Sequence, residues 1–192
     1  MIDWEKLSIH ARIALCLVYA EKMIPAVENM IKSREEYKEY LQGKQQMEDI
    51  LDLGWQYLQE KNNVEWREMY RLCNEDQYGY FDFLSYDEEE DNDNLSSMVI
   101  YCFYYAMYHY AKRQNEKYLP QDMEWFEMEE SEEEMFSCID NAINVFIPLN
   151  ERQKIESKKE KLYKLYPFNQ SAPYGEYISK DEFMKHYGAG DQ

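Results

Sequence analysis

The chain has 192 residues, enough for one hydrophobic core and short for two independent large domains. A hydrophobic share of 45% with 16% aromatic residues predicts a folded chain and excludes a disordered one. A formal net charge of −18 disfavours nucleic-acid binding, because such a field repels phosphates and attracts basic surfaces.

In chain order, a first helix is predicted over residues 3–22, with Leu7, Ala11, Ala14, Leu15 and Val18 on one face. Pro25 is expected to break or kink it, since the ring removes a donor and clashes with the preceding turn. A second segment covers 26–33. Ser33 with Glu36 carries a capping-box signature, and one or two helices follow over 35–60 around Gly43. Within them Met47, Ile50, Leu51, Gly54, Trp55 and Leu58 recur at the i, i+3, i+4, i+7 spacing of one helix face. Asn63 is placed to cap a helix through Leu72. The run Asp87, Glu88, Glu89, Glu90, Asp91, Asn92, Asp93 repels itself and predicts an exposed acidic loop near 86–94.

A central helix follows, striped by Leu95, Met98, Val99, Cys102, Phe103 and Ala106. Pro120 marks a turn, and an acidic segment containing Glu124, Trp125, Phe126, Glu127, Glu129 and Glu130 leads to Ser131, which forms a capping box with Glu134. The third complete stripe is Met135, Cys138, Ile139, Ala142, Ile143 and Phe146, ended by Pro148. A basic helix over 150–166 is expected to lay its lysines over the acidic middle of the fold. Residues 167–178 read as extended, and Ser179 with Glu182 starts a short last helix ending near Tyr187. Possible extended pieces at 78–84 and 174–178 do not amount to a strand pattern. The fold class is all-α, a single-domain irregular multi-helix bundle of about 7 to 9 helices.

No motif for chemistry emerges. Cys16, Cys73, Cys102 and Cys138 form no CxxC pair and have no histidine at ligand spacing, so they read as free, mostly core cysteines without a zinc site. His109 continues the stripe of the central helix and reads as a core or boundary histidine, while His10 and His186 have no acidic partner at a telling spacing. HExxH, EF-hand and phosphate-loop patterns are absent, which predicts no metal, no cofactor and no enzyme. No run of about 18 apolar residues exists to span a membrane. Asp3, Glu5, Lys6 and Arg12 at the start do not fit a secretory signal, and the expected location is the cytoplasm.

The charge itself is the main pointer to function. Residues 82–140 carry 17 acidic and 3 basic side chains, −14 of the net −18, a concentration suited to a basic protein partner. Around the complete stripe of the central helix stand Tyr101, Tyr104, Tyr105, Tyr108 and Tyr110, read as packed between neighbours with hydroxyls at the edges. The candidate partner-binding residues are Asp87, Glu88, Glu89, Glu90, Asp91 and Asp93, with Glu124, Glu127, Glu129, Glu130, Glu132 and Glu133. Trp125 and Phe126 are the expected exposed aromatic anchors.

The stretch Ala14, Leu15, Cys16 through Glu21, Lys22, Met23, Ile24, Pro25, followed by Ile50, Leu51, Asp52, Leu53, Gly54, Trp55, resembles the start of small all-helical bacterial proteins. One such family is uncharacterised. The other, which fits better overall, is the immunity protein six family, all-helical proteins encoded beside the toxins of bacterial polymorphic toxin systems. That resemblance implies a protein that binds and blocks a cognate toxin domain, often a nuclease, and brings no functional residues with it. The alternatives are a self-associating structural or adaptor protein without a toxin partner, and an enzyme using a carboxylate pair or His109. The oligomeric state is left open.

Overall fold

A computed structural model describes residues 2–59, 66–74, 90–127 and 131–187. Among the described residues seven helices longer than one turn follow in order: α1 (Ile9–Ser33), α2 (Lys44–Leu58), α3 (Trp66–Asn74), α4 (Glu90–Arg113), α5 (Ser131–Phe146), α6 (Leu149–Leu165) and α7 (Lys180–Tyr187). Short 3-10 turns occupy Trp4–Lys6, Glu35–Gly43 and Trp125–Glu127, the last preceded by one helical turn at Gln121–Glu124. The protein is an all-α multi-helix bundle, with an isolated bridge between Leu7 and Pro167 as its extended pairing among the described residues. No helix among those residues is long and apolar enough to cross a membrane.

The predicted stripes become the core. Met47, Ile50, Leu51, Gly54, Trp55 and Leu58 are buried on α2, and Val99, Cys102, Phe103 and Ala106 are buried on α4. Met135, Ile139, Ala142 and Ile143 are buried on α5, with Cys138 and Phe146 half-buried at the stripe's margin. Helix α4 lies between α1, α5 and α3, while α6 and α7 pair at the other side. Tyr105 and Tyr110 are fully buried, and Tyr101, Tyr104 and Tyr108 half-buried, as packing between neighbours requires. All four cysteines are free. At Gly54 the backbones of α1 and α2 come close: a Cβ there would lie 2.8 Å from Leu17 Cδ2. The Tyr110 hydroxyl donates to the Gly54 carbonyl at 2.9 Å.

Three local expectations are corrected. Helix α1 runs through Pro25 to Ser33, because Met23, Ile24, Val27 and Ile31 are buried on both sides of the ring and offset the bond it removes. Ser33 is the end of α1, its hydroxyl donating back to the Met30 carbonyl at 2.6 Å, and it caps no following helix. The expected acidic loop near 86–94 is corrected from residue 90 onward: Glu90, Asp91 and Asp93 lie in the first turns of α4, where unpaired N–H groups and the helix dipole favour negative charge. Asp87, Glu88 and Glu89, and the expected extended piece at 78–84, lie outside the described residues.

Two of the five lysines of α6 do otherwise than expected: Lys159 pairs with Glu156 on its own helix, and Lys158 donates to the Tyr187 carbonyl of α7 at 3.1 Å.

Residues 166–178, read as extended from the sequence, form a strap across the start of α1 that turns over 169–175, where Ala172 N–H donates to the Asn169 carbonyl and Gly175 N–H to the Ala172 carbonyl. Ile9 N–H donates to the Pro173 carbonyl at 2.9 Å and His10 N–H to the Tyr174 carbonyl at 3.2 Å. Ala11 N–H donates to Ser8 Oγ at 3.4 Å, completing the cap. Farther along, Ile178 N–H donates to the Leu58 carbonyl at 2.7 Å and ties the strap to the end of α2. Ser179 Oγ then accepts from Glu182 N–H at 3.1 Å and starts α7, as its capping signature predicts.

Gly175 in the strap has φ +71° and sits where a Cβ would be 2.7 Å from Ser8 Cβ. Gly175→Ala combines left-handed strain with that clash and is expected to lower stability by about 2 kcal/mol, read from urea denaturation.

Candidate functional site

Helix α5 begins with Ser131, Glu132, Glu133 and Glu134, acids placed where the helix dipole stabilises them. Facing this turn is the N-terminal Trp4–Lys6 turn. Trp4 is buried, stacked on Phe136 at 4.3 Å between centroids and 7° between planes. Asp3 N–H donates to the Tyr163 hydroxyl at 2.6 Å, which ties the turn to α6.

Beneath the surface lies a charged pair. Arg12, 7% exposed, donates from Nε to the Leu7 carbonyl at 3.0 Å and from a terminal nitrogen to Glu132 Oε2 at 2.8 Å. Its guanidinium lies over Phe136 and Phe168, 5.9 and 5.5 Å from the ring centroids. The other Glu132 oxygen is 3.5 Å from His109 Nε2. Burial raises the Glu132 carboxyl, but His109 and Arg12 outweigh it and hold the group below the ordinary carboxylate range. Burial lowers the His109 pKa more than Glu132 raises it, and Arg12 brings a permanent positive charge to the Glu132 carboxylate.

Between the Trp4–Lys6 turn, α5 and Phe168 opens a groove of about 800 Å³, lined by Asp3, Trp4, Glu5, Arg12, Glu132, Glu133, Phe136, Asp140 and Phe168 among others. Five of its twelve lining residues carry carboxylates and three carry aromatic rings. Arg12, its cation, is engaged by Glu132.

The structure distributes the sequence candidates unequally. Glu124, Glu127 and Glu133 are exposed. Glu127 receives Lys112 at 2.5 Å, and Glu132 is half-buried in the Arg12 pair, so it supports the fold rather than a free rim. Phe126 is not an exposed anchor: it is 5% exposed and packs against Tyr105 and Tyr108, because the 3-10 turn points this ring into the bundle. The Trp125 side chain, the side chains of Glu90, Asp91 and Asp93, and residues Glu129 and Glu130 fall outside the described ones. Among described residues no group of His, Cys, Asp and Glu is arranged to hold a metal.

Sequence reasoning missed Arg12 and Trp4, which stand outside every charged run, and it missed the cluster around His10. His10 Nδ1–H donates to the Glu176 carbonyl at 3.0 Å, which leaves Nε2 to accept from Arg113 at 3.0 Å. The Arg113 guanidinium also lies over the rings of Tyr177, Tyr57 and Tyr174. Only a neutral imidazole fits between that carbonyl and that cation.

The family model for immunity protein Imm6 matches residues 11–145, more than half of the chain. The chain belongs to the Imm6 family. It is thus an immunity protein, a class that acts against toxins. No curated protein and no solved structure matched the chain. The Imm6 match begins in the first turn of α1 and ends in the last turn of α5. Two walls of the groove, the Trp4–Lys6 turn and Phe168, therefore lie outside it.

Two measurements test this geometry. Burial lowers the His10 pKa from 6.5 to about 4, so the unfolded chain binds the extra proton between those values. Stability is expected to be full above pH 6.5 and to fall by about 3 kcal/mol as pH drops toward 4, with His10→Gln flattening that part of the profile. Glu132→Gln leaves Arg12 without its counter-charge; with Glu132 about one-third exposed, urea denaturation is expected to show a loss of about 2 kcal/mol.

Proposed function

We propose that this Imm6 protein neutralises its cognate toxin by covering a basic, substrate-binding surface, without chemistry of its own, in the cytoplasm of the producing cell. The observation that carries the reading is the Imm6 match on a chain whose net charge is −18, most of it within residues 82–140. A nuclease domain suits that charge, since a surface built for phosphates is basic and an acidic inhibitor competes for it electrostatically. Blockade needs only an interface of ordinary size, and the exposed acids Glu124, Glu127 and Glu133 support such a rim. On charge alone, the acids at 87–93 and Glu129 and Glu130 join the proposed binding set.

The experiment is co-expression with the toxin domain encoded beside it, followed by binding of the purified pair at low and high salt. The expected outcome is restored growth and a complex whose affinity falls by roughly tenfold or more as salt screens the exposed charges. Absence of both protection and complex would sink the proposal. Recovery of this chain bound to itself alone would favour a self-associating structural protein.

A further inference from the structure

The groove beside α5 holds three features that the fold engages in part or not at all. Glu5 and Glu133 are exposed carboxylates with no ion pair among the described residues. Trp4, buried in the wall, has its indole N–H without an acceptor in hydrogen-bonding geometry. Phe168 leaves its ring 42% exposed.

We propose that this groove receives a basic loop of the toxin, with an arginine guanidinium seated among Glu5, Glu133 and Asp140 and against the open side of Phe168. The inference rests on the toxin-binding reading and names where that partner inserts.

Charge complementarity selects a cation, and the combination of ring faces with separated carboxylates selects arginine over lysine. A planar guanidinium stacks and bridges two acids at once, which an ammonium does not. Arg12 shows the same chemistry from the inner side, its guanidinium over Phe136 and Phe168 and bonded to Glu132. Glu132 is engaged by Arg12, which leaves Glu5, Glu133 and Asp140 to meet an incoming group. Asp140 is half-buried among the residues lining the groove, where burial pushes its carboxyl up to about 6 against the opposing effect of the Trp4 indole. A guanidinium placed beside it favours the carboxylate form. The groove, at about 800 Å³, admits a loop tip rather than a single ion. Because the Trp4–Lys6 turn and Phe168 lie outside the matched residues 11–145, these walls give the chain a means of selecting its own toxin.

The test uses the full-length protein and the tripeptide acetyl-Gly-Arg-Gly-amide, with lysine and citrulline versions as controls, followed through the Trp4 indole N–H resonance. Saturable shifts ordered arginine, lysine, citrulline are expected. The paired variant Glu133→Gln with Asp140→Asn should weaken the arginine peptide by about fivefold or more, while Glu39→Gln with Asp52→Asn, exposed acids away from the groove, leaves it unchanged. No shift with the arginine peptide, or an equal one with citrulline, overturns the inference. Circular dichroism establishes that the variants are folded. Titrating the co-expressed toxin domain against the same variants separates the two proposals. Tight binding to the unaltered chain that survives loss of Glu133 and Asp140 overturns the groove alone, and no binding to the unaltered chain overturns both.

Discussion

A helix whose first turn is buried must find partners for N–H groups that no preceding turn can satisfy. In α1 that need is met by the carbonyls of Pro173 and Tyr174 and by Ser8, and the rest of the molecule is arranged around this junction. The strap that supplies those carbonyls continues to the end of α2 through Ile178 and carries Phe168 to the mouth of the groove. Removing these acceptors would leave buried donors unpaired, each costing about 1–3 kcal/mol. Residues distant in sequence thus become one rigid corner.

The same corner organises the charge. Arg12 stands one turn into α1, and its reach to Glu132 links the start of α1 to the start of α5. With a carboxylate, a backbone carbonyl and two ring faces around it, the guanidinium is satisfied despite its burial. One acid in this face therefore has a structural task, and its neighbour Glu133 remains available to solvent. An acidic composition is an average; which carboxylates can meet a partner depends on which ones the fold has already engaged.

Packing was legible where it followed a period. The stripe from Met47 to Leu58 and the one from Met135 to Ile143 became buried faces because burial acts on every third or fourth residue of a helix alike. The capping signature at Ser179 was legible for a similar local reason, whereas Ser33 with Glu36 has the same letters and stands at a helix end. Pro25 and the acids Glu90, Asp91 and Asp93 were misread because local cost was set without tertiary gain or helix polarity. Phe126 was misread because charge around an aromatic residue does not reveal which way a short turn points.

By itself the sequence determined the helical class, the apolar faces, the concentration of acid along residues 82–140 and the resemblance that the Imm6 match establishes. These depend on residue order over short spans, where helix periodicity and net charge operate. Only the tertiary structure decided that Trp4, Arg12, Glu132 and Phe168 meet at one groove, and that His10 is held neutral between Glu176 and Arg113. The contacts of Arg12 with Glu132 and of His10 with Arg113 and Glu176 each span more than a hundred residues, a separation at which neither helix periodicity nor net charge specifies a partner.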